Sequence, residues 1–525
     1  MAGLLSSVLE GVLGVPSAIL GAPSPVPSGG MAACAAIAAN TQVQMESWPV
    51  NQYTSQYSTA RTHYWNAANA DRTPACVVLP QNAQDVSDAI RVLLGYPDIG
   101  VAVKSGGHNA NVGFSSTDGG VLISMANSNS TTISPDLQTA YLSPGATWAQ
   151  TLAALEPYGK AAVGGRIGDV GVGGLLLGCG LSFLSALYGL PCDNILNYEV
   201  VLSNASIVNA NATSNTDLFW ALKGGGDQFG IVTKFTVRTV PIGQVWGGYR
   251  TYSSNYASQI LNLTQDFTAN FPDLGAGIIV TLEIVASNLD QFVTVFFFYN
   301  GPNPPPGSFD KFLSLPFTAD TTKTWSYSSM LASNANVASV YGLRYLLRGT
   351  TIPNLPSTNG TDLVNANYNN FVSYVLKLGL LKSFYQFVLI YQPMPYAIPA
   401  ASERANPLGN LLGLSTNYGD QMWMASTVSW LTSDGDSSGR SMITDIINDV
   451  ASYVRAGYPN VKASNFQSGD LQAMFAPATF MNDAMSDQPV LQGYGNATYQ
   501  RLKSVQKEYD PIGFFPGRTN GFKLT

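Results

Sequence analysis

The sequence contains a short strand pattern that ends in a glycine-rich turn, and this turn restricts the fold more than any other stretch. Val101 and Val103 alternate with other residues as in a strand, and Ser105-Gly106-Gly107-His108 follows directly. Glycine lets backbone N–H groups come close to a ligand, and successive N–H groups form a concavity that suits phosphate oxygens. Because short glycine motifs are weak evidence alone, the turn predicts either an anion-binding loop or a plain turn with a surface imidazole.

A second glycine-rich run extends from Gly164 to Asn194. Small residues can serve close packing, but this run has more glycine than a single turn requires. Its most closely spaced glycines are Gly171, Gly173, Gly174, Gly178 and Gly180. His108 is one of two histidines in the chain. The other, His63, lies beside Tyr64 and Trp65, and packing is the preferred interpretation for it.

Both runs resemble the flavin-binding segments of the vanillyl-alcohol-oxidase superfamily, and within it the fungal berberine-bridge-enzyme-like FAD-linked oxidases. The letters K-S-G-G-H-N at 104–109 and G-F-S-S at 113–116 match the flavin-attachment loop. The letters Y-G-L-P-C-D-N at 188–194 match the end of the second flavin-contacting segment. The resemblance covers about residues 72–240 and returns near the C-terminus. It implies that His108 carries FAD on the 8α-methyl carbon.

The same resemblance assigns further cofactor contacts. They are expected at Lys104, Ser105, Gly106, Gly107, Asn109, Gly113, Ser115, Val170, Gly171, Gly173, Gly174, Gly178, Gly180, Tyr188, Asn194, Gly230, Ile231, Val232 and Asn482. Family members with two covalent links carry a cysteine where this chain has Ile167 or a neighbour, so a single link is expected. The family also implies a disulfide between Cys34 and Cys76, with two buried thiols as the alternative. Cys179 is expected to be a small packed thiol near the flavin.

The fold class follows from length and from the order of the patterns. A chain of 525 residues has room for more than one core. Strand, helix and strand patterns at 76–79, 83–95 and 101–104 predict small mixed α+β units. The later predicted elements are strands at 278–285, 291–299, 384–391 and 421–430, with helices at 258–271, 362–380, 438–453 and 499–509, the last followed by a turn and short strand at 510–515.

The resemblance implies an α+β fold with a PCMH-type FAD-binding domain of two subdomains. A second α+β substrate domain is expected to consist of an antiparallel sheet covered by helices. The expected limits are 1–33 for a signal or flexible N-terminal segment, 34–242 for the FAD-binding domain, 243–475 for the substrate domain and 476–525 for a return to the FAD-binding domain.

Composition excludes several classes of function. Hydrophobic residues make up 46% and charged residues 11%, which is typical of a folded protein. The net charge of −7 and the lack of a basic cluster argue against nucleic acid or a membrane surface as a partner. No C-x-x-C pair occurs, so no metal site is expected.

The sequence does not decide the cellular location of the protein. The apolar stretch near the N-terminus resembles a secretory signal, but no Lys or Arg precedes Arg61. Secreted and cytoplasmic locations therefore both remain, as does the oligomeric state. Sequons that permit glycosylation occur at Asn129, Asn204, Asn211, Asn262, Asn359 and Asn496.

A flavin oxidase needs a group that removes a proton from the substrate. The candidates are Tyr391, Gln392 (for positioning only, since an amide is no base), Glu283 and Asp483. Along the strand of Tyr391 and Gln392, successive side chains alternate between two faces, and the sequence leaves open which face meets the flavin. Once His108 is alkylated, no histidine remains as a base unless His63 reaches the site.

The leading hypothesis is an FAD-linked oxidase that dehydrogenates a small organic molecule, of the kind found in secondary metabolism, with molecular oxygen as electron acceptor. The first alternative is a flavin-containing isomerase or cyclase without net redox change. The others are a carbohydrate oxidase and a binding protein without turnover.

Overall fold

The structure is a computed structural model that describes residues 28–378, 385–406, 409–469 and 478–524. Three features predicted from sequence fall partly outside these ranges. They are the N-terminal segment up to residue 27, the end of the helix at 379–380 with the strand start at 384, and the domain limit at 475.

The first sheet consists of four short strands, and one helix connects two of them. Its strands are β1 Met45–Ser47, β2 Cys76–Val78, β3 Val101–Lys104 and β4 Val121–Ser124, in the order β1-β2-β4-β3. Strands β2 and β3 both pair with β4 in parallel, so the chain between them must cross over, and a helix at Ala83–Leu93 does this. The Asn82 side chain caps that helix by accepting from the Asp85 N–H. The predicted strand–helix–strand unit is confirmed.

The second sheet contains the longest strand of the N-terminal half. Its strands are β5 Thr131–Ile133, β6 Thr139–Leu142, β7 Lys160–Ala162, β8 Ile195–Val201, β9 Ile207–Asn211 and β10 Ile231–Pro241. The order is β5-β6-β10-β8-β9, and β7 also pairs with β10. Phe235 and Val237 of β10 are buried in the core shared by this sheet and the glycine-rich segments.

The third sheet is antiparallel and lies C-terminal to the first two. Its strands are β11 Val245–Ser253, β12 Ala276–Val285, β13 Asp290–Tyr299, β14 Ala319–Asp320, β15 Lys323–Trp325, β16 Arg344–Pro353, β17 Gln386–Met394 and β18 Gln421–Trp430. The order is β14-β11-β13-β12-β17-β18-β16, with β15 on β11. Strand β16, which the sequence analysis did not predict, pairs with β18 along its whole length.

The described part of the chain contains sixteen α-helices, and three of them cover one face of the third sheet. In the described ranges they are α1 Ser28–Asn40, α2 Ser55–Thr62, α3 Ala83–Leu93, α4 Trp148–Leu155, α5 Val172–Leu177, α6 Ser185–Tyr188, α7 Thr216–Ala221, α8 Ala257–Ala269, α9 Asp310–Leu313, α10 Tyr327–Ala338, α11 Ser357–Leu378, α12 Ala397–Ala405, α13 Asp436–Gly457, α14 Val490–Gly493, α15 Asn496–Tyr509 and α16 Phe514–Arg518. Helices α8, α11 and α13 bury their apolar faces against Phe387, Leu389 and their neighbours in one core. The expected sheet covered by helices is therefore confirmed.

Two terminal expectations differ from the structure. Helix α1 begins at Ser28, inside the stretch expected to be a signal or flexible segment. Of the turn and short strand expected at 510–515, only the strand is wrong, because Phe514 and Phe515 begin helix α16. The Asp510 carboxylate accepts hydrogen bonds from the Phe514 and Phe515 N–H groups at 2.9 and 2.8 Å, which satisfies the free donors of a helix start.

The four cysteines form two disulfides. Cys34 and Cys76 are bonded, which joins helix α1 to strand β2 as the family resemblance implied. Cys179 is bonded to Cys192, so the expected free thiol at Cys179 was wrong. The Cys192 N–H donates to the Cys179 carbonyl at 3.0 Å, and the Cα atoms of the two cysteines are 4.6 Å apart.

Within the described ranges, the helices lack the combination of length and apolarity that crossing a membrane requires.

The packing of Trp148 gives a first prediction. A methyl group on Gly164 would lie 1.9 Å from the Trp148 ring, which is fully buried. Because the ring has no room to move, Gly164→Ala is expected to lower the free energy of unfolding by roughly 1–3 kcal/mol. Chemical denaturation measures this. Gly243→Ala is the control, because nothing lies within 4 Å of its added carbon, and equal stability losses in both variants would contradict the packing argument.

Candidate active site

A cavity of about 440 Å³ lies between the glycine-rich segments and the third sheet. One part, here called the glycine-lined part, is formed by residues 105–109, 170–178 and 225–232. The other, the sheet-lined part, is formed by side chains of β12, β17 and their neighbours. The two glycine-rich runs that stood out in the sequence thus meet at one site.

The two glycine runs touch backbone to backbone. A methyl group on Gly171 would lie 2.3 Å from the Gly106 nitrogen, and one on Gly106 would lie 2.6 Å from the Gly171 nitrogen. The Ser105 hydroxyl joins the same contact by accepting from the Gly173 N–H at 3.2 Å. Side chains at these positions would separate the runs, which explains why glycine stands at both.

Two features of the glycine-lined part fit the FAD that the sequence resemblance implies. A methyl group on Gly174 would meet no heavy atom within 4 Å, so the backbone there is open to a ligand. The Ser115 hydroxyl is buried on the cavity wall and has no hydrogen-bond partner within the described part of the chain. A phosphate or ribityl oxygen would satisfy such a donor, since buried polar groups are normally paired.

His108 lies on the cavity wall in a defined hydrogen-bond network. Its Nε2 atom is 3.1 Å from the Ser339 hydroxyl, and its ring stacks on Trp65 with centroids 4.8 Å apart. Ser339 and Tyr341 both donate to the Asp169 carboxylate at 2.9 Å. Burial lowers the pKa of the His108 imidazole, and the nearby Asp169 charge opposes that shift. The ring is therefore favoured in its neutral, nucleophilic form.

The face of β17 that sequence left open is now defined. Gln386, Val388, Ile390 and Gln392 line the cavity. Tyr391 points to the opposite, helix-covered face, where its hydroxyl donates to the Val364 carbonyl at 3.4 Å. The structure therefore does not bring Tyr391 to the site, because neighbouring residues of a strand face opposite sides.

A buried polar cluster connects the two parts of the cavity. The Gln392 amide donates to the Asp483 carboxylate at 2.7 Å, and its oxygen accepts from the Arg166 guanidinium. Burial raises the pKa of Asp483 and lowers the pKa of Arg166 to about 10. The preceding residue, Asn482, accepts from the Gly180 N–H at 3.1 Å. Asp483 is thus fixed where the glycine-lined part meets the sheet.

Glu283 is a second carboxylic acid in the sheet-lined part. Burial raises its pKa to about 7, although hydrogen bonds from Thr281 and Gln386 oppose this. Thr281 Oγ1 lies 3.1 Å from the carboxylate, and the Gln386 amide lies 3.3 Å from it. At neutral pH this group can therefore donate or accept a hydrogen bond.

Most predicted site residues lie on the cavity wall. These are His108, Ser105, Gly106, Gly107, Asn109, Ser115, Val170, Gly171, Gly173, Gly174, Gly178, Gly230, Ile231, Val232, Asn482, Glu283, Gln392 and Asp483.

The other predicted residues lie outside the described cavity wall. They are Lys104, Gly113, Gly180, Tyr188, Asn194 and Tyr391. The Lys104 ammonium donates to the Ala60 carbonyl at 2.7 Å, and burial lowers its pKa to about 7. The Asn194 amide donates to the Tyr188 and Leu190 carbonyls, so it supports the second glycine run from behind.

Arg166 and Asp169 were missed as functional residues. Both are charged residues inside an otherwise apolar, glycine-rich stretch, and that contrast was the available signal. Groups of three or more potential metal ligands are absent from the part of the chain that the structure describes.

Comparison with known proteins agrees with this geometry. Residues 74–211 match the family described as FAD binding domain. An uncharacterized FAD-linked oxidoreductase from Arthroderma benhamiae is 34% identical over 480 residues, which is 90% of this chain and 91% of that protein.

Two solved structures show the same fold. Glucooligosaccharide oxidase from Acremonium strictum, whose FAD is 6-S-cysteinyl and 8α-N1-histidyl, has a TM-score of 0.71 at 20% identity and covers 94% of this chain and 99% of its own. A variant of berberine bridge enzyme has a TM-score of 0.66 at 16% identity and covers 94% of this chain and 100% of its own. The chain therefore belongs to the FAD-linked oxidoreductases, and its fold is that of the berberine-bridge-enzyme-like FAD oxidases.

Proposed function

We propose that this protein is an oxidase that holds FAD through a single covalent bond to His108 and dehydrogenates a small organic substrate, with molecular oxygen as the electron acceptor. The observation that carries the proposal is the position of Asp483, which faces the cavity between the glycine-lined part and Gln392. A base at that boundary can act on a substrate that contacts both the flavin ring and the sheet.

The single bond is supported by the residue at the second attachment position. Ile167 or a neighbour is expected at that position, Ile167 lines the cavity, and no cysteine that could form a thioether occurs between Cys76 and Cys179. Glucooligosaccharide oxidase, by contrast, has a cysteinyl as well as a histidyl bond to FAD. The lack of the second bond argues for a substrate other than a carbohydrate.

The sheet-lined part also favours an apolar substrate with a few polar groups. Val388, Ile390, Phe296 and Leu347 supply apolar surface, and Glu283 stands among them. Ligand sites commonly combine a mostly apolar wall with a few placed polar groups. An aromatic or polycyclic secondary metabolite with hydroxyl or carbonyl groups fits this lining better than an oligosaccharide.

Bound FAD would supply the hydride acceptor for the substrate and the route by which two electrons reach oxygen. Asp483 removes the proton from the substrate group next to the oxidised carbon. Gln392 holds the Asp483 carboxylate in position. The positive charge of Arg166 lowers the pKa of Asp483 and so opposes part of the rise that burial causes. Glu283 and Gln386 bind a polar group at the far end of the substrate, and the apolar wall excludes water.

The covalent bond gives one prediction. His108→Ala is expected to release all FAD on acid precipitation, because the remaining contacts are non-covalent. The wild-type pellet is expected to stay yellow. Fluorescence of the washed pellet measures the difference. Asp290→Asn, a change at an exposed residue outside the cavity wall, serves as control and is expected to keep the colour. A yellow pellet from His108→Ala would refute the attachment site.

The role of Asp483 gives a second prediction. Asp483→Asn is expected to lower kcat by roughly 10²–10⁴-fold, the usual contribution of a positioned base, with FAD retained. In the wild type, kcat/KM is expected to fall as pH falls through the Asp483 pKa, since only the carboxylate accepts a proton. Burial raises this pKa, so the fall begins above the usual range of an aspartate. The exposed Asp434→Asn is the control; an unchanged kcat and pH profile in Asp483→Asn would assign the base elsewhere.

The redox character is tested by anaerobic mixing. Aromatic alcohols, phenols, amines and oligosaccharides are mixed with the holoenzyme without oxygen, and the yellow absorption band is followed. An oxidase substrate is expected to bleach the band, and air is expected to restore it. Product formation without bleaching would instead support the isomerase or cyclase alternative.

A further inference from the structure

We infer that Asp169, together with Ser339 and Tyr341, positions His108 for covalent attachment of FAD through its Nδ1 atom. This inference rests on the proposed His108 link. It concerns how that bond forms rather than how the substrate is oxidised.

The direction of the hydrogen bonds fixes the state of the His108 ring. The Ser339 hydroxyl has one proton, which it donates to Asp169 Oδ1 at 2.9 Å. The same oxygen must then accept from His108 Nε2, which lies 3.1 Å away. The neutral tautomer that satisfies this network carries its proton on Nε2, which leaves the lone pair that can attack carbon on Nδ1.

Asp169 is itself held by two hydroxyl groups. Tyr341 donates to Oδ2 at 2.9 Å while Ser339 donates to Oδ1, so both carboxylate oxygens are occupied. His63 stacks on the Tyr341 ring with centroids 4.8 Å apart. The Trp65 ring stacks directly on the His108 ring, with an angle of 7° between the two planes. The Trp65 stacking and the Ser339 hydrogen bond limit the orientations open to the imidazole, which is the preorganisation that a bond-forming step requires.

The Asp169 carboxylate also stabilises the positive charge that alkylation places on the imidazole. A bond forms between Nδ1 and the 8-methyl carbon, and one C–H bond of that methyl group breaks. The C–H electron pair would reduce the isoalloxazine ring by two electrons, and the methyl proton would pass to water. The alkylated imidazole would be cationic and would lose its Nε2 proton through Ser339 to Asp169, whose Oδ1 is 3.8 Å from Nε2, and Asp169 would release that proton to water. Molecular oxygen would take the two electrons with two protons from water, which forms hydrogen peroxide and restores the oxidised ring.

The experiment measures attachment and binding separately. Protein produced under limiting riboflavin is incubated with FAD, and the covalently bound fraction is followed over time after acid precipitation. The dissociation constant for FAD is measured on the same samples before attachment. The variants are Asp169→Asn, Asp169→Glu, Ser339→Ala and Tyr341→Phe, with the exposed Asp290→Asn as matched control.

Asp169→Asn and Ser339→Ala are expected to slow attachment at saturating FAD at least about tenfold, as loss of an outer hydrogen-bond partner does at histidine metal sites. FAD affinity is expected to stay within about twofold, a difference of less than 0.5 kcal/mol. Asp169→Glu is expected to recover part of the rate because it keeps the carboxylate. Tyr341→Phe, which leaves Oδ1 and Ser339 intact, is expected to slow attachment less than Asp169→Asn.

Two outcomes would overturn the inference. One is a wild-type attachment rate in both Asp169→Asn and Ser339→Ala. The other is a parallel loss of FAD affinity and attachment in both variants, which would make the network merely structural. Failure of the His108 link itself is distinguishable, because His108→Ala would then keep acid-stable flavin while the Asp169 variants behave like wild type.

Discussion

The backbone contact between Gly106 and Gly171 is the constraint on which the cavity depends. Each residue lies so close to the other's nitrogen that neither position has room for a methyl group. The contact brings the loop that carries His108 against the segment that carries Arg166 and Asp169. His108, Arg166 and Asp169 are therefore placed relative to that contact. The glycines therefore do more than permit close approach of a phosphate, because they also set the distance between two functional loops.

The third sheet faces this pair of loops across the cavity and contributes both apolar and polar side chains to the wall. Gln392 is central because an amide can both donate and accept, and it therefore links Asp483 to Arg166 without itself carrying charge. Burial raises the pKa values of Asp483 and Glu283 and lowers the pKa of Arg166, so each shift favours the neutral form of the group. Such shifts are common where proton transfer occurs, since a useful base must titrate near working pH.

Local patterns in the sequence were enough to predict the glycine loops, the Ala83 helix and several strands and helices of the C-terminal half, and the family resemblance supplied the arrangement of that half as a sheet covered by helices. They could not show which face of β17 meets the cavity, because alternation defines two faces but not their neighbours. Strand β16 was missed because Arg348 and Gly349 interrupt its apolar pattern. The structure pairs that arginine with Asp487 at 2.7 Å. Asp169 was missed for a similar reason, since its partners Ser339 and Tyr341 lie about 170 residues away. Long-range pairing of polar groups leaves no periodic trace in a sequence.

Helix α16 and the residues after it return to the first sheet, and this has a consequence for biosynthesis. The Arg518 guanidinium donates to the carbonyls of Ile99 and Leu93 at 2.9 Å, and Phe515, Thr519 and Phe522 form part of the cavity wall. While these residues are still inside the ribosome, the nascent chain lacks one side of the cofactor pocket. The cavity wall is therefore complete only once the chain has been translated past residue 522.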